Sequence, residues 1–202
     1  MIALTLATLL ALGDSYTVGE SVPAEEAFPR QLAHALKIGE PQIVAKTGWT
    51  TDELEWAIRQ AKLKGPFDVV TLLIGVNDQY RGRSAEEYRK HFVVLLKRAI
   101  AFAGGRPARV VVVSIPDWGV TPFARGRDRK KIAAEIDQFN AINHKEAIHA
   151  GARYADITAV SRHAAFDPSL IAPDGLHPSG RMYAEWLRVI LPEAKAALRL
   201  RN

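Results

Sequence analysis

The chain has 202 residues and no cysteine, so disulfides, thiolate nucleophiles and cysteine-based zinc sites are excluded. With 48% hydrophobic and 24% charged residues it can bury a sizeable core and is not disordered wholesale; its length suits one domain spanning 1–202. The net charge of +5 is partly gathered at Arg125, Arg127, Arg129, Lys130 and Lys131. Asp128 and Glu135 interrupt that cluster and no aromatic residues interleave with it, so it reads as a solvated loop and helix start, not as a nucleic-acid surface.

The first element is "IALTLATLLAL", residues 2–12. It has the apolar character of a secretion-signal core, but no basic flank precedes it and no small-residue cleavage site follows before Gly13. It is too short to span a bilayer, and no stable membrane insertion is expected. We read it as a first strand, Ile2–Leu12, buried on both faces. On that reading the compartment is cytoplasmic by default, and periplasmic or secreted if a leader precedes this sequence.

Pro29 then fits the first position of a short helix ending near Leu36. Gln42–Ala45 is a second strand candidate. Thr50 with Glu53 has capping-box spacing before a helix. The run "VVTLLIG" predicts a third strand over Asp68–Ile74, and Ser84 with Glu87 opens another helix. "ARVVVVSIP" predicts a fourth strand over Arg109–Ile115. Ile132, Ile136, Phe139 and Ile142 recur at helical spacing, which predicts a helix from about Asp128 to His149. A short fifth strand is expected at Arg153–Asp156. A last helix is expected to start near Ser179, after Pro178, and to run to about Leu198. Strands alternating with helices imply parallel pairing, right-handed crossovers and helices on both faces. Ligands of such sheets bind beyond the carboxyl ends of the strands.

The short polar motifs all fall at that edge. Gly13-Asp14-Ser15 follows the first strand, Thr47-Gly48-Trp49 the second and Gly75-Val76-Asn77-Asp78 the third. Pro116-Asp117-Trp118 follows the fourth. Asp174-Gly175-Leu176-His177-Pro178 lies between the fifth strand and the last helix. Each alone is an ordinary turn sequence. Their joint placement is what carries weight.

In order and spacing, "GDSYT" at 13–17, the glycine of "KTGWT" at 46–50, "GVND" at 75–78 and "DGLHP" at 174–178 resemble the blocks of the SGNH hydrolase superfamily, also called the GDSL family of esterases and lipases. Tyr16 stands where the family name has leucine. The resemblance implies a flavodoxin-like three-layer α/β/α sandwich with a five-stranded parallel sheet, and ester hydrolysis. It also implies Ser15 N–H, Gly48 N–H and the Asn77 amide as oxyanion donors.

The residue types suit that chemistry. A serine hydroxyl needs a base to become nucleophilic. His177 is the best base among six histidines, because it sits in a strand-edge loop with a carboxylate nearby; Asp174, three residues earlier, can orient it. Gly48 would permit close backbone approach, and Asn77 donates without a charge. Asp14 and Asp78 read as structural, and Ser15 by itself could be a turn cap. Tyr16, Trp49, Val76 and Trp118 lie in or beside the motifs and are candidates to line an acyl pocket, the aromatic ones alternatively to fill the core. His144 and His149 are five apart, which is not the spacing of a shared helical metal face. No metal and no cofactor are expected.

The expected partner is a small ester; lysophospholipid, acyl-thioester and acetylated-sugar substrates remain open, as does the oligomeric state. A silent binding module is disfavoured by the intact Ser15, Asp174 and His177. A phosphate-binding flavodoxin-like protein is disfavoured because "GDSYTVGES" has no glycine-rich cradle. Residues 116–130 could be a flap with Gly119 and Gly126 as flexible points, or a fixed surface loop.

Overall fold

The sheet has five strands, the three central ones made by apolar runs: β1 (Leu9–Gly13), β2 (Gln42–Ala45), β3 (Val69–Leu73), β4 (Val110–Val113) and β5 (Arg153–Ala155). The structure is a computed structural model and describes residues 7–199. All neighbouring strands pair in parallel, in the order β2-β1-β3-β4-β5. Every residue of β1, β3 and β4 is buried, which is why these strands read as continuous apolar runs and do not alternate. The edge strands β2 and β5 are partly exposed and carry the more polar residues.

Helices α1 (Ser15–Val18), α2 (Phe28–Leu36), α3 (Thr51–Gln60), α4 (Val76–Tyr80), α5 (Ala85–Phe102), α6 (Arg129–His149), α7 (Thr158–Ser161) and α8 (Gly180–Leu198) fill the connections. On one face α2 packs on α8; on the other α5 packs on α3 and α6. Their starts follow local chemistry. The Glu53 carboxylate accepts the Thr50 N–H at 2.9 Å, Ser84 Oγ accepts the Glu87 N–H at 3.2 Å, and Asp128 accepts the Lys131 N–H at 3.0 Å. Aromatic pairs fill both layers: Tyr88 stacks on Phe139 at 4.2 Å, and Tyr183 meets Trp186 edge-on at 5.0 Å. Burying each such ring contributes about 2–3 kcal/mol.

The first strand is shorter than expected. It begins at Leu9, and residues 2–6 of the expected strand lie outside the described residues. Thr8 stands just before it because its N–H goes to the Asp68 carboxylate at 3.0 Å. At the other end of the sheet, Ile115 leaves the ladder because the buried Asn140 side chain takes both its N–H (2.7 Å) and its carbonyl (2.9 Å).

The strand order reverses direction between β1 and β3. That is the switch point where the loops leaving two adjacent strands diverge and open a crevice. The connection after β1 carries Ser15 at the start of α1, and the connection after β3 carries Asn77 in α4.

Candidate active site

β1 ends at Gly13 and the chain turns at once into α1. Asp14 shapes that turn: its Oδ1 accepts the Tyr16 N–H at 3.0 Å, and its carbonyl accepts the N–H groups of Thr17 and Val18, both at 3.0 Å. Ser15 is thereby the first residue of α1. Among the described residues its N–H and its hydroxyl have no protein partner.

The loop after β2 places Gly48 at φ +86°. A Cβ there would meet nothing within 4 Å. Within the protein, then, glycine is required here by backbone angle and not by crowding from neighbouring residues. The Gly48 carbonyl is held by Arg81 at 2.7 Å, and Arg81 also reaches Glu53 at 3.2 Å. The Gly48 N–H has no protein acceptor among the described residues.

After β3, Gly75 at φ +128° starts α4, and a Cβ there would lie 2.6 Å from the Tyr88 hydroxyl. Asn77 follows two residues later. Its Nδ2 donates to the Trp49 carbonyl at 2.9 Å, which fixes the amide and leaves its second N–H unspent. Asp78 is fully buried: it accepts the N–H (3.0 Å) and hydroxyl (2.7 Å) of Thr51 and pairs with Arg83 at 3.0 Å, contacts that fit a structural role.

Asp174 and His177 lie on the loop before α8. Asp174 Oδ1 accepts the N–H groups of Leu176 (2.9 Å) and His177 (3.0 Å), closing a tight turn. Its Oδ2 stands 2.5 Å from His177 Nδ1 and accepts the Ser21 hydroxyl at 2.7 Å. Burial works to raise the Asp174 pKa. The hydrogen bonds from His177, Leu176 and Ser21 outweigh it and hold the carboxyl well below the usual carboxylate range. With Nδ1 tied to Asp174, His177 keeps Nε2 available. Tyr16 packs edge-on against the imidazole at 5.7 Å.

Ser15, Tyr16, Gly48, Val76, Asn77, Trp118 and His177 together line one open cleft of about 200 Å³. The structure adds Thr47, Tyr80, Phe123 and Leu176 to its wall. Trp49 is a correction. Its ring is half-buried against the core and does not line the cleft; what it supplies is the carbonyl that orients Asn77. Sequence reasoning also missed Ser21 and Arg81. No local signal marks either, because each acts on a residue distant in sequence.

Residues 116–130 form a packed loop of two short turns. Asp117 accepts from Gly119 at 2.9 Å and pairs with Arg162 at 2.9 Å, and the Phe123 N–H donates to the Gly175 carbonyl at 3.0 Å. Gly119 is buried against Ile132 and Arg129 of α6. The fixed-loop reading fits this packing.

Asp14 is fully buried and its Oδ2 has no partner among the described residues. Burial pushes its carboxyl up from 3.8 to about 8, with Asp78 adding to the shift and the Tyr16 N–H opposing it. The folded state therefore holds a proton that the unfolded chain releases, so this group's contribution to stability is lost as pH rises from about 4 to about 8. Asp14→Asn has no such titration. Its melting temperature relative to wild type should rise across that window and level off above it, as read by calorimetry. A gap constant with pH would mean that Asp14 ionises normally.

A family model described as the GDSL-like lipase/acylhydrolase family matches residues 11–185. The chain belongs to that family. No curated protein matches this GDSL hydrolase in sequence. Solved structures share its fold. A phospholipase A1 from Streptomyces albidoflavus NA297 aligns with TM-score 0.72 and 20% identity over 95% of this chain and 99% of that one. An acetylxylan esterase from Geobacillus stearothermophilus aligns with TM-score 0.70 and 19% identity over 95% and 96% of the two chains. A lipase/acylhydrolase from Enterococcus faecalis aligns with TM-score 0.69 and 19% identity over 94% and 96%. Among the described residues of this GDSL hydrolase, no helix is long and apolar enough to cross a membrane.

Proposed function

We propose that this GDSL hydrolase is a serine-dependent carboxylic ester hydrolase that cleaves short-chain acyl or acetyl esters through an acyl-enzyme on Ser15. One observation carries the reading. A single cleft holds an unpartnered serine hydroxyl, an imidazole backed by a carboxylate, and three unspent N–H donors. Ser15 Oγ attacks the ester carbonyl while His177 Nε2 takes its proton. Asp174 holds the Nδ1–H and stabilises the imidazolium. The oxyanion is met by the N–H groups of Ser15 and Gly48 and by the free N–H of Asn77, which Trp49 and Arg81 keep in place before substrate arrives. His177 then protonates the leaving alcohol, and a water repeats the sequence to release the acid. A fluorophosphonate should label Ser15, located by mass spectrometry, and should leave Ser15→Ala unlabelled. Labelling elsewhere would remove the nucleophile assignment.

Acyl size follows from the wall. Tyr16, Trp118, Leu176 and His177 separate the cleft from an apolar pocket of only about 20 Å³ behind it. Fold relatives include both an acetylxylan esterase and a phospholipase A1, and this closed wall favours the smaller acyl group. Each methylene that finds a pocket gains about 0.8 kcal/mol, roughly fourfold in kcat/KM. Values for p-nitrophenyl esters should therefore plateau or fall beyond about four carbons. Trp118→Ala should join the two spaces and shift the optimum to longer chains. Trp49→Ala should not shift it, because that ring is outside the cleft. A wild-type preference for decanoyl esters would overturn the short-chain reading.

A further inference from the structure

Beside the cleft, over three of the rings that line it, sits a cation that the proposed chemistry does not use. Tyr80, Trp118 and Phe123 all line the cleft and pack on one another, with ring centroids 5.5 Å apart for Tyr80–Trp118, 6.0 Å for Trp118–Phe123 and 6.4 Å for Tyr80–Phe123. Arg127 lies over this cluster. Its guanidinium carbon is 5.0 Å from the Tyr80 ring centre and 5.4 Å from those of Trp118 and Phe123. One of its nitrogens donates to the Tyr80 hydroxyl at 3.0 Å. The platform beneath is anchored: Trp118 Nε1 donates to Gln79 at 2.8 Å, and Gln79 donates to Glu135 at 2.7 Å.

Arg127 is exposed and, among the described residues, makes no ion pair. The nearest carboxylates along the chain are spent elsewhere. Asp128 caps α6, and Glu135 accepts from Gln79 and pairs with Lys131 at 3.8 Å. A guanidinium offers five N–H donors in a flat fork. The rings lie to one side of the guanidinium and one nitrogen is spent on Tyr80, which leaves other N–H groups open, and these are what bind carboxylate or phosphate in two-point fashion. The rings also hold the side chain in place, so little rotamer entropy is left to lose when an anion arrives.

We propose that Arg127 makes the cleft select esters that carry an anionic group, a carboxylate or a phosphate, at an end remote from the scissile bond. The proposal rests on the cleft being the ester-cleaving site. It turns the cation at 127 from a solvated surface charge into a specificity determinant. Arg127→Gln keeps most of the side chain's reach and its polarity but removes the charge; Arg127→Lys keeps the charge and loses the fork.

Two matched pairs of substrates place the anion. For the alcohol side, 4-acetoxybenzoate is compared with 4-acetoxybenzamide; for the acyl side, monophenyl adipate with phenyl hexanoate. In one arm Arg127→Gln should lower the anionic-to-neutral ratio of kcat/KM by about fivefold, mainly through KM, as expected for a partly exposed ion pair. Arg127→Lys should keep part of that ratio, and salt near 1 M should erase it in wild type. The arm that responds says which end of the ester faces the guanidinium. Ratios unchanged in both arms would overturn the proposal, as would equal losses on charged and neutral esters, which would make Arg127 a brace for the rings. The same pairs titrated calorimetrically into Ser15→Ala protein, with and without Arg127→Gln, read the preference as binding. Loss of the hydrolase reading is thus distinguishable from loss of this one: the former leaves no Ser15-dependent turnover of any ester, while the latter leaves turnover and removes the charge preference.

Discussion

Ser15→Ala and His177→Ala should each lower kcat on a short ester by about four to six orders of magnitude, and the double variant should be hardly worse than either alone. The non-additivity is the informative part. A nucleophile without its base and a base without its nucleophile are equally idle, so removing the second group takes away nothing further. Residual turnover then comes from the oxyanion donors and from binding. The fold should survive. The Ser15 hydroxyl makes no protein hydrogen bond among the described residues, so its loss strands no buried partner. His177→Ala removes the ring beside Tyr16 and the partner of Asp174, a modest packing loss near the surface of the core. Turnover measured beside circular dichroism for the three variants checks both halves. Strong residual activity in Ser15→Ala would remove the assignment, and so would a double variant showing the full product of the two single losses.

Asp174→Asn should cost less, on the order of a hundredfold to ten-thousandfold in kcat, with the native melting temperature largely kept. The amide oxygen can still accept the N–H groups of Leu176 and His177 in place of Oδ1. The amide nitrogen then faces His177 Nδ1 where Oδ2 stood. A donor in that place favours the tautomer with its proton on Nε2, and that tautomer cannot take a proton from Ser15. Loss of the negative charge also leaves the imidazolium unsupported. Ser21 offers a graded comparison. Its hydroxyl is one of the bonds on Oδ2, so Ser21→Ala and Ser21→Gly should each lower kcat by about two- to tenfold with little change in KM, in line with the net contribution of one hydrogen bond. Ser21 sits at φ +65°, where serine and alanine bear the same Cβ strain and glycine bears none. Equal losses in the two variants would assign the effect to the hydroxyl; a loss confined to glycine would assign it to a loosened backbone. An Asp174→Asn effect no larger than that of Ser21→Ala would mean that Asp174 does not orient the base.

The local parts of this molecule were legible in its sequence. Buried strands such as β3 and β4 announce themselves because both faces are covered, so the run is apolar almost throughout, Thr71 being the one polar residue in the two strands. Thr50, Ser84 and Asp128 mark helix starts because a cap bonds N–H groups within three residues of itself. The Asp174–His177 pair was readable for the same reason: both partners lie in one turn. Ser15, Gly48 and Asn77 were readable as a set, since parallel strands deliver the ends of successive strands to one edge. The tertiary structure alone decided what crosses between those loops. Ser21 reaches Asp174 over a separation of 153 residues, and Asn77 reaches the Trp49 carbonyl over 28. Packing set Trp49 against the core, brought Tyr80 and Phe123 to the cleft and laid Arg127 over their rings, and nothing in the neighbourhoods of Tyr80 and Phe123 marks them for that place. Periodicity and capping are set by neighbours along the chain and survive in the sequence. Which side chain walls a cleft depends on how rigid elements far apart in sequence settle against one another, and that is fixed by the packing of the whole core.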